Sequence, residues 1–325
     1  MTPPVAAVDV GTNSVRLLVA REGAGGNQAG ENQASGNQAG GNQAGGEHLT
    51  TVERLMTITR LGKGVDARGH LDDAALARTL DCLEDYARRW ESLGAQRVRI
   101  AATSAVRDAA DRERFFDGVR ERTGVVAEVI SGQEEALLAF RGAVSSVEGA
   151  APYLVLDIGG GSTELILGEA APTAADSLQV GCVRLTERCL HDDPPVTDQL
   201  AAGRAVVAAE LDSLGFDPEP ARTLIGVAGT VTTIGALHLE LETYEPERIH
   251  GTRVPVDGVA ALTQRLAAMT SQQRAGLGPM AAGREDVIVA GCLILEAVLR
   301  RYHFAEVLVS EADILDGLAL SLLDG

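Results

Sequence analysis

A twelve-residue pattern occurs twice in this chain. Val8-Asp9-Val10-Gly11-Thr12-Asn13-Ser14-Val15-Arg16-Leu17-Leu18-Val19 matches Leu156-Asp157-Ile158-Gly159-Gly160-Gly161-Ser162-Thr163-Glu164-Leu165-Ile166-Leu167, 148 residues further on. Each copy reads as an apolar strand, Asp, an apolar residue, Gly, two small residues, Ser and a second strand. The offset is about one domain length. Two similar domains are therefore expected, each opening with a strand–turn–strand hairpin, and the 325-residue length fits them.

Strand-like and helix-like runs alternate elsewhere, which points to an α/β protein. Strands are expected at Val5–Val10, Val15–Ala20, Glu53–Arg60, Arg97–Ala102, Val125–Ile130, Tyr153–Ile158, Glu164–Leu167, Ser177–Val180, Thr223–Val227 and Glu306–Val309. Helices are expected at Asp72–Leu93, where Leu76, Leu80, Leu83 and Ala87 share a face, and at Asp111–Thr123, Glu134–Val144, Thr197–Leu214, Thr230–Leu239, Val256–Met269, Arg284–Tyr302 and Asp313–Leu323. Residues 26–45 are four Asn-Gln-Ala pentads with no apolar periodicity. They read as a disordered expansion of the loop between the second and third strands. Each doubling of loop length costs only about 0.6 kcal/mol.

The formal net charge of −18 argues against a general binder of nucleic acid or anionic membrane. One Trp, four Tyr and five Phe leave few stacking platforms for single strands. A polyanionic substrate must be held locally, by backbone amides, a few Arg and a metal. All basic residues except Lys63 are Arg, which suits bidentate phosphate contacts. Cys82, Cys182, Cys189 and Cys292 form no C-x-x-C pair, and Met-Thr-Pro-Pro opens the chain without a basic leader. Reduced thiols and a cytoplasmic location are expected. The apolar stretch Val287–Leu299 is too short to span a bilayer and contains Glu296.

The turns carry the chemistry. Gly159, Gly160, Gly161 and Ser162 let bare amides approach a ligand, and successive amides form an anion-binding concavity. Thr12, Asn13 and Ser14 add donors in the first copy. Asp9 and Asp157 each end a strand beside such a turn. A carboxylate there repels phosphate unless a cation intervenes, and Mg²⁺ shared between carboxylates, water and phosphate is the usual solution. For Asp157, with Glu164 seven residues on, the metal role is favoured over turn capping; for Asp9 both stay open. Ser131-Gly132-Gln133-Glu134-Glu135-Ala136 runs from a strand into a helix. Its carboxylates suit the helix dipole, or one of them faces the cleft and activates water; spacing alone does not say which. Arg107 lies just past the end of the Arg97–Ala102 strand, where it either binds phosphate or belongs to an ordinary turn that Thr103 and Ser104 cap. Gly229 and Thr230 lie at a strand–helix junction with free amides. There is no P-loop, no Gly-x-Ser-x-Gly elbow, no His-Glu-x-x-His and no zinc-type cysteine spacing.

Asp9-Val-Gly-Thr-Asn-Ser14, Thr103-Ser-Ala-Val-Arg107, Ser131-Gly-Gln-Glu-Glu-Ala136, Asp157-Ile-Gly-Gly-Gly-Ser-Thr-Glu164 and Gly226-Val-Ala-Gly-Thr230 occur in order. Together they resemble the exopolyphosphatase/guanosine pentaphosphate phosphohydrolase family, in its short two-domain form. Leu315-Asp316-Gly317 departs from the Arg-containing triplet found there in many members. The resemblance implies two ribonuclease-H-like domains of the actin, chaperone-ATPase and sugar-kinase superfold flanking a cleft. It divides the chain into 1–130 with the closing helix 310–325, and 131–309. It implies Mg²⁺-dependent release of terminal phosphate from polyphosphate, with another divalent or a monovalent cation as alternatives. Glu135 corresponds to the catalytic base. Asp157 and Glu164 correspond to residues of metal binding and water activation, and Arg107 to a phosphate contact. Guanosine pentaphosphate is the alternative substrate, and a non-catalytic polyphosphate or alarmone sensor the alternative outside enzymes. A homodimer is expected from the same resemblance.

Overall fold

The computed structural model describes residues 3–23 and 49–324. The repeat at 26–45 lies outside them. β1 (Val5–Val10) and β2 (Ser14–Glu22) form the first hairpin, and β3 (Leu49–Ile58) pairs antiparallel with β2. A helical turn α1 (Val65–Arg68) and the long α2 (Asp73–Ser92) lead to β4 (Arg97–Ala102), parallel to β1. Then come α3 (Ser104–Asp108), α4 (Glu113–Thr123) and β5 (Glu128–Val129). The sheet runs β3-β2-β1-β4-β5. The Asp72 side chain caps α2 by accepting from the Ala75 N–H. The α2 stripe of Leu76, Leu83, Tyr86 and Trp90 packs with Phe115 and Val119 of α4 on Ala6, Val8, Val10, Leu17 and Val19. Strand alternation sends Val5, Ala7, Leu18 and Ala20 to the other face.

Helix α5 (Gly132–Val144) leads into a second sheet that opens like the first, with β6 (Tyr153–Ile158), β7 (Thr163–Gly168) and β8 (Pro172–Leu178). There follow α6 (Cys182–Cys189), α7 (Thr197–Asp212), β9 (Thr223–Val227), α8 (Ala228–His238), α9 (Pro246–Ile249) and β10 (Arg253–Pro255). The chain closes with α10 (Val256–Ala267), α11 (Ser271–Ala275), α12 (Ile288–Arg301), β11 (Glu306–Val309) and α13 (Ile314–Leu323). The order is β10-β11-β9-β6-β7-β8. One face buries Leu154, Leu156 and Leu165 under α8 and α12, with α10 packed on those two helices. The other face, with Val155, Ile166 and Ile225, takes Ala136, Phe140 and Ala143 of α5. The back of α5, Leu138 and Ala139, meets Leu315 and Leu318 of α13, which covers Val5 and Ala7 of the first sheet. The two α/β halves are thus joined by this helix pair.

Expected and observed elements differ in places. β5 shortens from Val125–Ile130 to Glu128–Val129, because it pairs only at Ala101↔Glu128 and Ala102↔Val129 and leaves Val126 exposed. β8 moves from Ser177–Val180 to Pro172–Leu178, an edge strand whose half-exposed Ala174, Ala175 and Asp176 give no apolar run. α12 starts at Ile288 rather than Arg284, since side chains hold the preceding turn: Arg274 Nε donates to the Glu285 carbonyl, and the Ser271 hydroxyl to Asp286. α6 has no counterpart among the expected helices, being only eight residues long. Tertiary contacts make it: the Gly159 and Gly160 carbonyls accept from the N–H groups of Cys182, Val183 and Arg184. All four cysteines are free and buried. Among the described residues no helix is long and apolar enough to cross a membrane.

Candidate active site

Strand register builds the site. Asp9 pairs with Arg16 across β1–β2, and Asp157 with Glu164 across β6–β7. Alternation puts Asp9 and Arg16 on the α13 face, and Asp157 and Glu164 on the α5 face. The repeats share a backbone but differ in charge at the matching positions 16 and 164. In the first half, Arg16 neutralises its surroundings. Its Nε and Nη2 donate to Asp9 Oδ2 at 3.0 and 2.8 Å, and Nη1 donates to Asp313. Arg54 binds Asp316 beside it. In the second half, Asp157, Glu164 and Glu135 converge, with Arg107 beside Glu135 and the charge of Arg16 reaching Asp157. Arg107 Nη1 donates to Glu135 Oε2 at 3.1 Å and to the Ile130 carbonyl at 3.2 Å. Burial, then the charge of Glu164, pushes the Glu135 carboxyl well above its usual range, with Arg107 opposing. Burial and Glu164 raise Asp157 likewise. Burial raises Glu164 too, against hydrogen bonds from Ser177 and Ser162.

The two glycine turns fold alike and meet face to face. Gly11 N–H donates to the Ser14 carbonyl at 2.9 Å, and Gly159 N–H to the Ser162 carbonyl at 3.0 Å. A Cβ added at Gly160 would lie 2.7 Å from Thr12 Cβ, so only glycine permits this approach. The Thr12 and Ser104 hydroxyls are 2.8 Å apart behind it. The turns floor a cleft of about 510 Å³ between the halves. Asp9, Thr12, Asn13, Ser14, Glu135, Asp157, Gly159, Gly160, Ser162, Gly229 and Thr230 all line it, as expected for one site. Arg107, Glu164 and Gly161 stand behind the wall. Arg107 is occupied by Glu135, Glu164 is wholly buried against Ser177, and Gly161 packs on Ser104. For Glu135 over Glu134 the choice is geometric: Glu134 binds Arg99 at the surface.

Residues that sequence reasoning passed over complete the cleft. Arg284 lines it, buried, and makes no ion pair among the described residues; its Nη1 donates to Thr233 Oγ1 at 2.8 Å. Burial holds its guanidinium below the usual arginine range. In the sequence it looked like one more helix-end arginine. Cys182 also lines the cleft, but burial pushes its thiol up to about 11, which leaves it neutral and a poor nucleophile. Met56, Tyr244, Pro279 and Met280 add apolar surface to the cleft lining.

Five lining carboxylates (Asp9, Glu135, Asp157, Glu311, Asp313) face three arginines (16, 54, 284). A polyanion enters such a cleft only with added positive charge. Asp9 Oδ1, Asn13 Oδ1 and Glu164 Oε2 are among the buried acceptors without a protein partner in the described residues. No three His, Cys, Asp or Glu side chains converge into a closed metal cage among the described residues. This donor set fits a hard divalent cation that takes one or two carboxylates and completes its shell with water and phosphate oxygens.

Comparison with known proteins agrees with this geometry. The model of the Ppx/GppA phosphatase family matches residues 42–325. The chain belongs to the Ppx/GppA phosphatase family. It is 46% identical to Exopolyphosphatase 2 of Mycobacterium tuberculosis, over 98% of each chain. The crystal structure of an exopolyphosphatase-like protein superposes with a TM-score of 0.88 at 34% identity, covering 98% of both chains. The Aquifex aeolicus member of the Ppx/GppA family superposes with a TM-score of 0.78 at 27% identity, over 99% of this chain and 98% of that one. The two-domain α/β fold around a cleft, expected from the repeat and the resemblance, is the fold of this family.

Proposed function

We propose that this chain is an exopolyphosphatase that hydrolyses the terminal phosphoanhydride of inorganic polyphosphate. One observation carries the reading: a partly neutralised carboxylate, Glu135, faces two apposed amide turns across a cleft that also holds an unpaired Arg284. Phosphoryl transfer needs positioning and charge stabilisation more than covalent chemistry. The amides of Gly159–Ser162 and Thr12–Ser14, with Gly229 and Thr230, hold the terminal phosphoryl oxygens. Arg284 offsets their charge. Glu135 orients a water in line with the bond to be broken and takes its proton, while Arg107 holds the carboxylate in place. Asp157 and Asp9, the expected ligands that line the cleft, would hold a divalent cation, Mg²⁺ by our reading, with Glu164 behind them. Such an ion would supply charge neutralisation on the phosphate. Orthophosphate leaves, and the shortened chain stays or dissociates. The bodies that close on the substrate are 1–130 with 310–325, and 131–309.

A second reading has its own observation. Met56, Tyr244, Pro279 and Met280 give the cleft lining apolar surface that suits a nucleobase, which favours guanosine pentaphosphate as an alternative substrate. Phosphate release with Mg²⁺ from long polyphosphate, short polyphosphate and guanosine pentaphosphate in parallel separates the two. Release from polyphosphate that falls by at least about 10³-fold in Glu135→Gln, with the fold intact, is the expected result. Full activity in that variant would sink the assignment of the base. Release from the nucleotide alone would move the protein to alarmone turnover. Binding of polyphosphate without release would make it a sensor.

A further inference from the structure

Arg60 sits where the two halves meet, yet it does not line the cleft. Its backbone lies in the left-handed region, at φ 56°. A side chain other than glycine stays there only where its surroundings hold it. The first phosphate turn is one of those surroundings. The N–H groups of Thr59 and Arg60 both donate to the Asn13 carbonyl, at 3.1 and 2.9 Å, and Gly62 N–H donates to the Thr12 carbonyl at 2.9 Å. The side chain then crosses to the other half. Its Nη2 donates to Asp286 Oδ2 at 2.6 Å and to the Gly283 carbonyl at 3.3 Å. Residues 283–286 are the loop that carries Arg284 to the cleft. That loop is also fixed from its own side, by the Ser271 hydroxyl on Asp286 and by Arg274 on the Glu285 carbonyl. Gly283, at φ 90°, packs directly on the end of β3: a Cβ there would lie 2.7 Å from Ile58 Cγ2. One residue therefore ties the amide turn of the first half to the loop bearing the unpaired cation of the second.

We propose that the Arg60–Asp286 pair is the latch that keeps the cleft closed and positions the Arg284 loop against the first phosphate turn. This rests on reading the cleft as the site of phosphate release. Arg60 is a positioning residue, acting through Asp286 and the Gly283 carbonyl. A direct phosphate contact has the opposite signature. If Arg60 gripped substrate, Asp286→Asn would free it, leaving KM unchanged or lower. A latch makes both partners necessary, because apparent affinity falls with the fraction of molecules in the closed form.

The test compares full-length wild type, Arg60→Ala, Asp286→Asn and the double variant. Initial rates of phosphate release from polyphosphate with Mg²⁺ give kcat and KM, and small-angle scattering of the free protein gives the radius of gyration. Both single variants are expected to raise KM alike, roughly three- to five-fold, the range of a half-exposed ion pair. kcat is expected to stay within about two-fold, and the double variant to be no worse than either single one. The radius of gyration of Arg60→Ala is expected to exceed that of wild type. Unchanged or lower KM in Asp286→Asn, beside raised KM in Arg60→Ala, overturns the latch in favour of a substrate contact. Additive losses, or no change in KM and radius across the set, also overturn it. Should wild type release no phosphate, the reading of the cleft fails, and the scattering difference alone decides the latch.

Discussion

Position 16 and its counterpart 164 show how one residue divides two copies of a motif into a scaffold and a reaction site. Arg16 neutralises Asp9 and Asp313, whereas Glu164 adds charge to Asp157 and Glu135. The price appears in stability. Glu135, Asp157 and Glu164 bind protons more tightly folded than unfolded, chiefly because they are buried. From the unfolded carboxylate pKa, about 4, up to their raised folded values, the folded chain holds more protons, so stability falls as pH rises. The thermal midpoint of metal-free protein should therefore climb as pH is lowered from neutrality towards the mildly acidic range. Glu164→Gln should raise the neutral-pH midpoint by about 3 °C, the effect of ~1 kcal/mol in a domain of this size, and flatten the climb while abolishing turnover. A lower midpoint by calorimetry would contradict this account. Among the described residues no carboxylate pairs with Arg284, so its charge is available to substrate. Arg284→Gln should raise KM for polyphosphate by roughly ten-fold or more, the worth of a buried charge-assisted contact. An unchanged KM would remove it from the site.

At the scale of elements, a strand end and its glycine turn place each functional group. β1–β2 and β6–β7 present their turns to one another, and α6 hangs from the carbonyls of the second turn. That explains why Gly160 is intolerant. Gly160→Ala would set its Cβ against Thr12, forcing the turns apart, and should lower kcat/KM for polyphosphate by at least about 10²-fold through misplacement. Its thermal midpoint should fall only slightly, since separated turns expose little apolar surface. Near-wild-type kinetics in this variant would mean that the turns need not touch. The site motifs were legible in the sequence because each depends on residues adjacent in the chain. Arg284 and α6 were not, because nothing local marks either. The arginine matters for the carboxylate it lacks, and the helix is capped by residues more than twenty positions away.

At the scale of the whole molecule, two sheets are joined by α5 and α13, with the cleft between them. The hairpin register ends at Glu22↔Leu49, so the strand ends flanking the 26–45 repeat already lie side by side. Removing 26–45 should leave kcat/KM and thermal midpoint within error, because loop length enters closure entropy only logarithmically. A large loss of activity on steady-state assay would give the repeat a role. By itself the sequence determined the doubled α/β plan and the two turns with the aspartate that precedes each, because these are written in short-range pattern. Tertiary structure alone decided which carboxylate is neutralised and which is not. It also chose Glu135 over Glu134, set Arg107 and Glu164 behind the wall, and brought Arg60 to Asp286. Each of those depends on burial and on the distance between residues far apart in the chain, and electrostatic energy is set by those two quantities rather than by residue type.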